Sequence, residues 1–109
     1  MNASVNPKTQ QLMLAQDAIK SVEPLFNACL SDTSIDFVRE LGWALQILGD
    51  NDSLRKAATE NLASLKTAVQ CVASIGISLN PALKLAYLVP RKGKVCLDIS
   101  YMGLLHLAQ

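Results

Sequence analysis

At Asn80-Pro81 the apolar spacing of this 109-residue chain changes period. Upstream, hydrophobic residues recur every three or four positions, as on the buried face of an α-helix. Downstream, Leu85, Tyr87 and Val89 alternate, as do Val95, Leu97 and Ile99, which is the period of a strand with one covered face. Arg91-Lys92-Gly93 stands between the two runs as a turn. The change of period predicts an α+β fold: helices over 9–76 packed on a short β-hairpin over 84–99, with a further helix starting at 100–109.

Residues 1–8 read as a frayed end. Leu12, Ala15, Ile19 and Val22 mark the first helix, and Pro24 either ends it or opens a short one through Leu30. Ser31-Asp32-Thr33 offers N-cap candidates, and Asp36 adds an acid near the positive end of a helix reaching about Leu48. Its stripe is Val38, Leu41, Leu45 and Leu48, widened by Phe37, Ala44 and Ile47, broad enough to be buried on more than one side. Gly49-Asp50-Asn51-Asp52 breaks it, and Ser53 to Thr59 form a short extra turn. A helix from about Glu60 to Ile75 carries Leu62, Leu65, Val69 and Val72 inward and Lys66 and Gln70 outward, with Gly76 as its C-cap.

With Arg91-Lys92-Gly93 as a three-residue loop, Val89 sits beside Val95 and Tyr87 beside Leu97, giving one apolar face. Lys94, Asp98 and Pro90 then line the other face. A two-residue Lys92-Gly93 turn is the alternative, and it changes which faces meet. Pro90 confines its strand to a sheet edge. Ser100 caps a last helix, Tyr101 to Ala108, whose pattern runs to Gln109 without a stop signal and so reads as part of a larger domain.

Half the residues are apolar and 17% are charged, which excludes a disordered tail. Charged or amide residues interrupt every apolar run before it reaches membrane-spanning length, and MNASVNPKTQQ carries no signal-peptide stretch, so the expected place is the cytoplasm with no membrane partner. Cys29, Cys71 and Cys96 are odd in number, far apart and without a CxxC pair, which argues against a disulfide framework or a zinc site. Cys71 and Cys96 read as small core residues. His106, the one histidine, has no Ser, Cys or carboxylate at catalytic spacing. No glycine-rich phosphate loop occurs and the acids do not pair as metal ligands. The expectation is therefore no enzyme activity, no cofactor and no metal.

Charge is divided unevenly. Residues 1–60 carry five bases and eight acids, and residues 61–109 carry five bases and one acid, Asp98. The bases gather as Lys84, Arg91, Lys92 and Lys94, a cluster suited to neutralising phosphates, with Tyr87 and Tyr101 available as stacking rings. The plainer reading is a solvated turn.

Ala68 to Ala108 resembles the RecT family of phage single-strand annealing proteins. The residues that carry the likeness are a helix ending in an apolar-Gly-Ile step, Asn80-Pro81, Ala86-Tyr87-Leu88-Val89-Pro90, a basic turn, Cys96-Leu97-Asp98-Ile99 and Tyr101-Met102-Gly103-Leu104. The family pattern is similar: helix, LG-L-x-P, AYLIP, turn, apolar strand, YKG-L-x-L-A. Asn51-Asp52-Ser53-Leu54 resembles its NP-x-L link, and the likeness extends over about Ser21 to Gln109.

The resemblance implies ATP-independent binding of single-stranded DNA and annealing of complementary strands in phage-type homologous recombination. It further implies self-association into rings or filaments and a phage exonuclease as partner. It places Tyr87 and Pro90 in the motif's strand and Tyr101 and Gly103 at its helix start. Met102 stands where the family often has Lys, and family members continue well beyond the equivalent of Gln109. The competing expectation, from another class, is a helical oligomerisation or partner-binding module with no nucleic-acid contact. It is motivated by the broad apolar face after Asp32 and by Trp43 on its outer side.

Overall fold

The computed structural model describes residues 6–108, leaving 1–5 and 109 outside. Among the described residues six helices and one antiparallel hairpin make an α+β fold, with helices packed on the hairpin and one more helix after it. In order these are α1 (Pro7–Ser21), α2 (Glu23–Ala28), α3 (Phe37–Asp50), α4 (Asp52–Glu60), α5 (Leu62–Ile75), β1 (Ala86–Arg91), β2 (Lys94–Ile99) and α6 (Tyr101–Leu107). The frayed end expected over 1–8 is corrected at Pro7 and Lys8, which form the first turn of α1, where a missing proline N–H costs nothing.

Local chemistry sets the helix starts. Asn6, Asp36, Asn51, Asn61 and Ser100 each accept, through the side chain, the backbone N–H three residues on. Each such cap contributes about 1 kcal/mol. Asp36 is thus the cap of α3 itself, in place of Ser31-Asp32-Thr33. Ser31 instead ties the preceding loop to the end of α5, where its N–H and hydroxyl both donate to the Ala73 carbonyl, at 3.1 and 3.2 Å. Gly76 closes α5 in the left-handed region at φ 78°, as expected of a C-cap glycine.

Four helical expectations are corrected. Ser53 to Thr59 belong to a full helix, α4, because Leu54, Ala57 and Ala58 supply a buried face and Arg55 locks it in place. The Arg55 guanidinium is buried, donates to the Leu48 and Gly49 carbonyls at the end of α3 (3.0 and 3.3 Å) and to Gln11 on α1 (3.0 Å), and pairs with Asp52. On α3 the buried face is rotated from the expected stripe: Phe37, Glu40, Leu41, Ala44 and Leu48 point inward, while Val38 is 68% exposed. Trp43, expected outside, is half-buried against the core. On α5, Lys66 and Gln70 are also half-buried, not outward-facing. The core is one cluster joining α1, α3, α4, α5 and the hairpin, with Phe26 and Phe37 meeting edge to face at 5.2 Å.

The hairpin has the two-residue turn. Arg91 pairs with Lys94, Val89 with Cys96, Leu88 with Leu97 and Tyr87 with Asp98. Lys92 and Gly93 both have positive φ, 51° and 75°, which is the primed turn whose twist matches that of the strands. The three-residue loop, with Val89 beside Val95 and Tyr87 beside Leu97, is therefore overturned. Directly paired residues share a face. Ala86, Leu88, Pro90, Val95, Leu97 and Ile99 thus lie on one side, of which Ala86, Leu88 and Val95 are fully buried. Tyr87, Val89, Arg91, Lys94, Cys96 and Asp98 lie on the other. Pro90 changes sides relative to the expectation. It occupies a pair without mutual hydrogen bonds, so its missing N–H removes nothing from the ladder.

Candidate nucleic-acid interface

The outer side of the hairpin assembles four of the six expected contact residues. Tyr87 and Arg91 are four residues apart on one strand, roughly 13 Å along it. Lys94 lies directly across from Arg91, and Lys92 crowns the turn. All four are exposed, Tyr87 by 42%. The inner side of the same strands packs on α4 and α5, so the helices hold the outer side toward solvent.

Lys84 and Tyr101 stand at the opposite end of the strands, about 20 Å from the turn. They meet there because the Ser100 hydroxyl donates to the Lys84 carbonyl at 2.6 Å and the Ser100 N–H donates to the Leu85 carbonyl at 2.9 Å. Lys84 has φ 54°, a left-handed conformation that bends the chain into β1. Tyr101 is 75% exposed, in the first turn of α6. Lys84 and Tyr101 thus make a second group at the base, apart from Arg91, Lys92 and Lys94 at the turn.

Asp98 changes the charge count. Its carboxylate accepts from the Arg91 guanidinium at 2.9 Å, diagonally across the outer face. The pair is well exposed on both sides, so it is worth about 1 kcal/mol or less, weak enough for a phosphate to compete. Lys84, Lys92 and Lys94 form no salt bridge among the described residues.

Three features of the region were missed by sequence reasoning. Ser64 on α5 accepts the Val95 N–H through its hydroxyl at 2.8 Å and so fixes β2 to the helix; nothing in the sequence marks this serine. Glu40 is 2% exposed and grips the segment leading into the hairpin, accepting the Ser78 hydroxyl and the Leu79 N–H, each at 2.7 Å. Its position between Phe37 and Ala44 on the buried face was a legible signal. Gly103 lies against the Leu85 carbonyl, Ile99 and Ile77, where a side chain has no room.

Two further residues also sit differently from the expectation. Cys71 and Cys96 are half-buried and line a groove between α5 and β2, not the core. His106 shares a cleft with Asp32, Ser34, Arg39 and Glu40. The Ser34 hydroxyl there donates to Asp32 at 2.7 Å, and this bond, with a second from the Ser34 N–H, holds the Asp32 carboxyl below its usual range. Among the described residues no group of three or more His, Cys, Asp or Glu could hold a metal ion, and no helix is long and apolar enough to cross a membrane. Compared with protein-family models, with curated proteins and with solved structures, the chain matches none of them.

Proposed function

We propose that the chain binds single-stranded DNA along the outer face of the hairpin and takes part in ATP-independent annealing of complementary strands in the cytoplasm. The observation that carries this reading is the alignment of Tyr87, Arg91 and Lys94 on one solvent face with Lys92 at its tip. Cations spaced along a strand neutralise successive phosphates, and exposed rings stack on bases whatever the sequence. Contacts of this kind, to phosphates and to base faces, leave base edges free to pair. The resemblance of Ala68 to Ala108 to the RecT family supports the same chemistry. Self-association into rings or filaments and cooperation with a phage exonuclease belong to the proposal on that resemblance alone.

Binding of a fluorescent thymine oligonucleotide, followed by anisotropy at several salt concentrations, tests it. Replacing Arg91, Lys92 and Lys94 together by alanine is expected to weaken binding roughly tenfold or more at low salt and to reduce the salt slope by about 2, the value for three lost single-strand phosphate contacts. Asp98→Asn is expected to act in the opposite direction, since it frees Arg91. An unchanged affinity and slope in the triple variant would remove the hairpin from the site.

A second reading, a self-associating module, is favoured by α6. Tyr101, Met102, Leu104, Leu105 and Leu107 are all exposed on this one short helix. An apolar surface of that kind commonly marks an interaction site. On this reading light scattering shows mass rising with concentration, and Leu104→Glu with Leu105→Glu returns the chain to a monomer. A monomer at all concentrations excludes it.

A further inference from the structure

The hairpin leaves one edge of β2 without a strand. Arg91 and Lys94 close a two-residue turn and are a mutually hydrogen-bonded pair, and from there the pairs alternate along the ladder. The bond from the Ser100 N–H to the Leu85 carbonyl keeps the same parity. The backbone groups of Val95, Leu97 and Ile99 therefore point away from β1. Ser64 takes the Val95 N–H, which confirms the direction. For the N–H and carbonyl of Leu97 no partner is found among the described residues.

Beside this edge runs a groove of about 530 Å³ between α5 and β2. Its helical wall is Ala63, Thr67, Ala68, Cys71 and Ile75, small or apolar along its length. One charged residue lines it, Lys94 at the turn end, and no acid does. An unpaired strand edge is a template for another strand. A peptide that adds there gains main-chain hydrogen bonds from the edge and places alternate side chains against the flanking surface. Ser64 occupies the Val95 N–H, so the fully open stretch is Leu97 to Ile99, about 7 Å, enough to pair two or three residues of an incoming strand. Lys94, exposed at the turn end, offers a cation to a carboxylate carried by that segment. A nucleic-acid strand fits poorly, because the groove offers one cation and a largely apolar wall.

We propose that the groove between α5 and β2 receives an extended segment of a partner polypeptide as an added β-strand, its apolar side chains against Ala68, Cys71 and Ile75 and an acidic residue beside Lys94. The site adjoins the outer hairpin face and shares Lys94 with it, while Tyr87, Arg91 and Lys92 belong to the outer face alone.

The probes are two acetylated, amidated peptides of alternating valine and threonine, one with a glutamate at its first position and one at its last. At least one of them is expected to slow hydrogen exchange at the Leu97 amide tenfold or more, read by NMR on the complete chain. Replacing its glutamate by lysine weakens binding at least fivefold. N-methylating one alternate set of its amides abolishes binding, whereas methylating the other set does not, because only one edge of the peptide faces β2. Thr67→Trp, which fills the groove from α5, loses the peptide and keeps oligonucleotide binding. A Leu97 amide unaffected by either peptide overturns the proposal, as does equal tolerance of both methylation patterns. Leu97 protection that instead rises with protein concentration alone, together with a doubled mass in light scattering, assigns the groove to a second copy and equally overturns it. Oligonucleotide binding is read in an Arg91→Ala, Lys92→Ala variant that keeps Lys94, so failure of one proposal leaves the other standing.

Discussion

Glu40→Ala is expected to lower the stability of the fold by about 2–5 kcal/mol, the cost of leaving buried groups without their charged acceptor. The carboxylate is almost wholly enclosed and accepts from both Ser78 and Leu79, two consecutive residues of the segment that turns from α5 toward the hairpin. Alanine leaves the Leu79 N–H unsatisfied in the core and frees the segment that aims the hairpin. Chemical denaturation, or a thermal midpoint lowered by roughly 4–8 °C per kcal/mol lost, measures the effect.

Glu40→Gln separates hydrogen bonding from charge. The amide oxygen still accepts from Leu79, and the amide nitrogen can donate to the Ser78 oxygen, so most of the stability is expected to remain. The pH dependence has a definite sign. Burial raises the Glu40 pKa above its ordinary value of 4.5, against the lowering effects of the Leu79 and Ser78 hydrogen bonds, with Asp36 adding to the rise. The folded state then holds the proton more tightly than the unfolded one. The Glu40 contribution accordingly falls as pH rises from the ordinary carboxylate range through the raised folded value. In Glu40→Gln that decline disappears. A wild-type curve that instead climbs through this window, with no difference in the glutamine variant, contradicts the assignment.

Gly103→Ala is expected to cost about 1–3 kcal/mol, the range for overpacking a close contact. A Cβ at this position would overlap the Leu85 carbonyl and come within 2.8 Å of Ile99 and 2.9 Å of Ile77. The carbonyl belongs to the backbone and also receives the Ser100 N–H, so it cannot retreat without opening the start of α6. Faster hydrogen exchange in α6 and at the Ser100 amide, with the rest of the chain little changed, is the expected pattern. Wild-type stability with unchanged protection of α6 would show that the close approach carries no weight. The result bears on the Tyr101-Met102-Gly103-Leu104 segment as a whole: its glycine seats the helix, while its tyrosine and methionine stay in solvent.

The change of period at Asn80-Pro81 was enough to read helices before a hairpin, because 3.6- and 2-residue repeats are written directly in the chain. Of the helix caps, Ser100 and Gly76 act as expected, whereas Asn6, Asn51 and Asn61 were not read as caps. The hairpin register was not. Lys92-Gly93 and Arg91-Lys92-Gly93 are both plausible loops, and the choice rests on Ala86 and Leu88 reaching the core while Tyr87 does not. That preference comes from the helices packed beneath, a tertiary effect absent from the local sequence. The α4 helix was underestimated because its stability comes from Arg55 bonding to carbonyls on another helix. In the candidate site, the basic residues were visible as a cluster. Their division into a turn group and a base group, and the capture of Arg91 by Asp98, follow from the register and were invisible without it.

Pairing of two complementary oligonucleotides, one carrying a fluorophore and the other a quencher, tests the annealing proposal most directly. Mixed with the full chain and no ATP, the strands are expected to pair faster than alone. The Arg91, Lys92 and Lys94 alanine variant is expected to lose most of that acceleration while keeping its helical circular dichroism. Pairing no faster with the wild-type chain than without it contradicts the account.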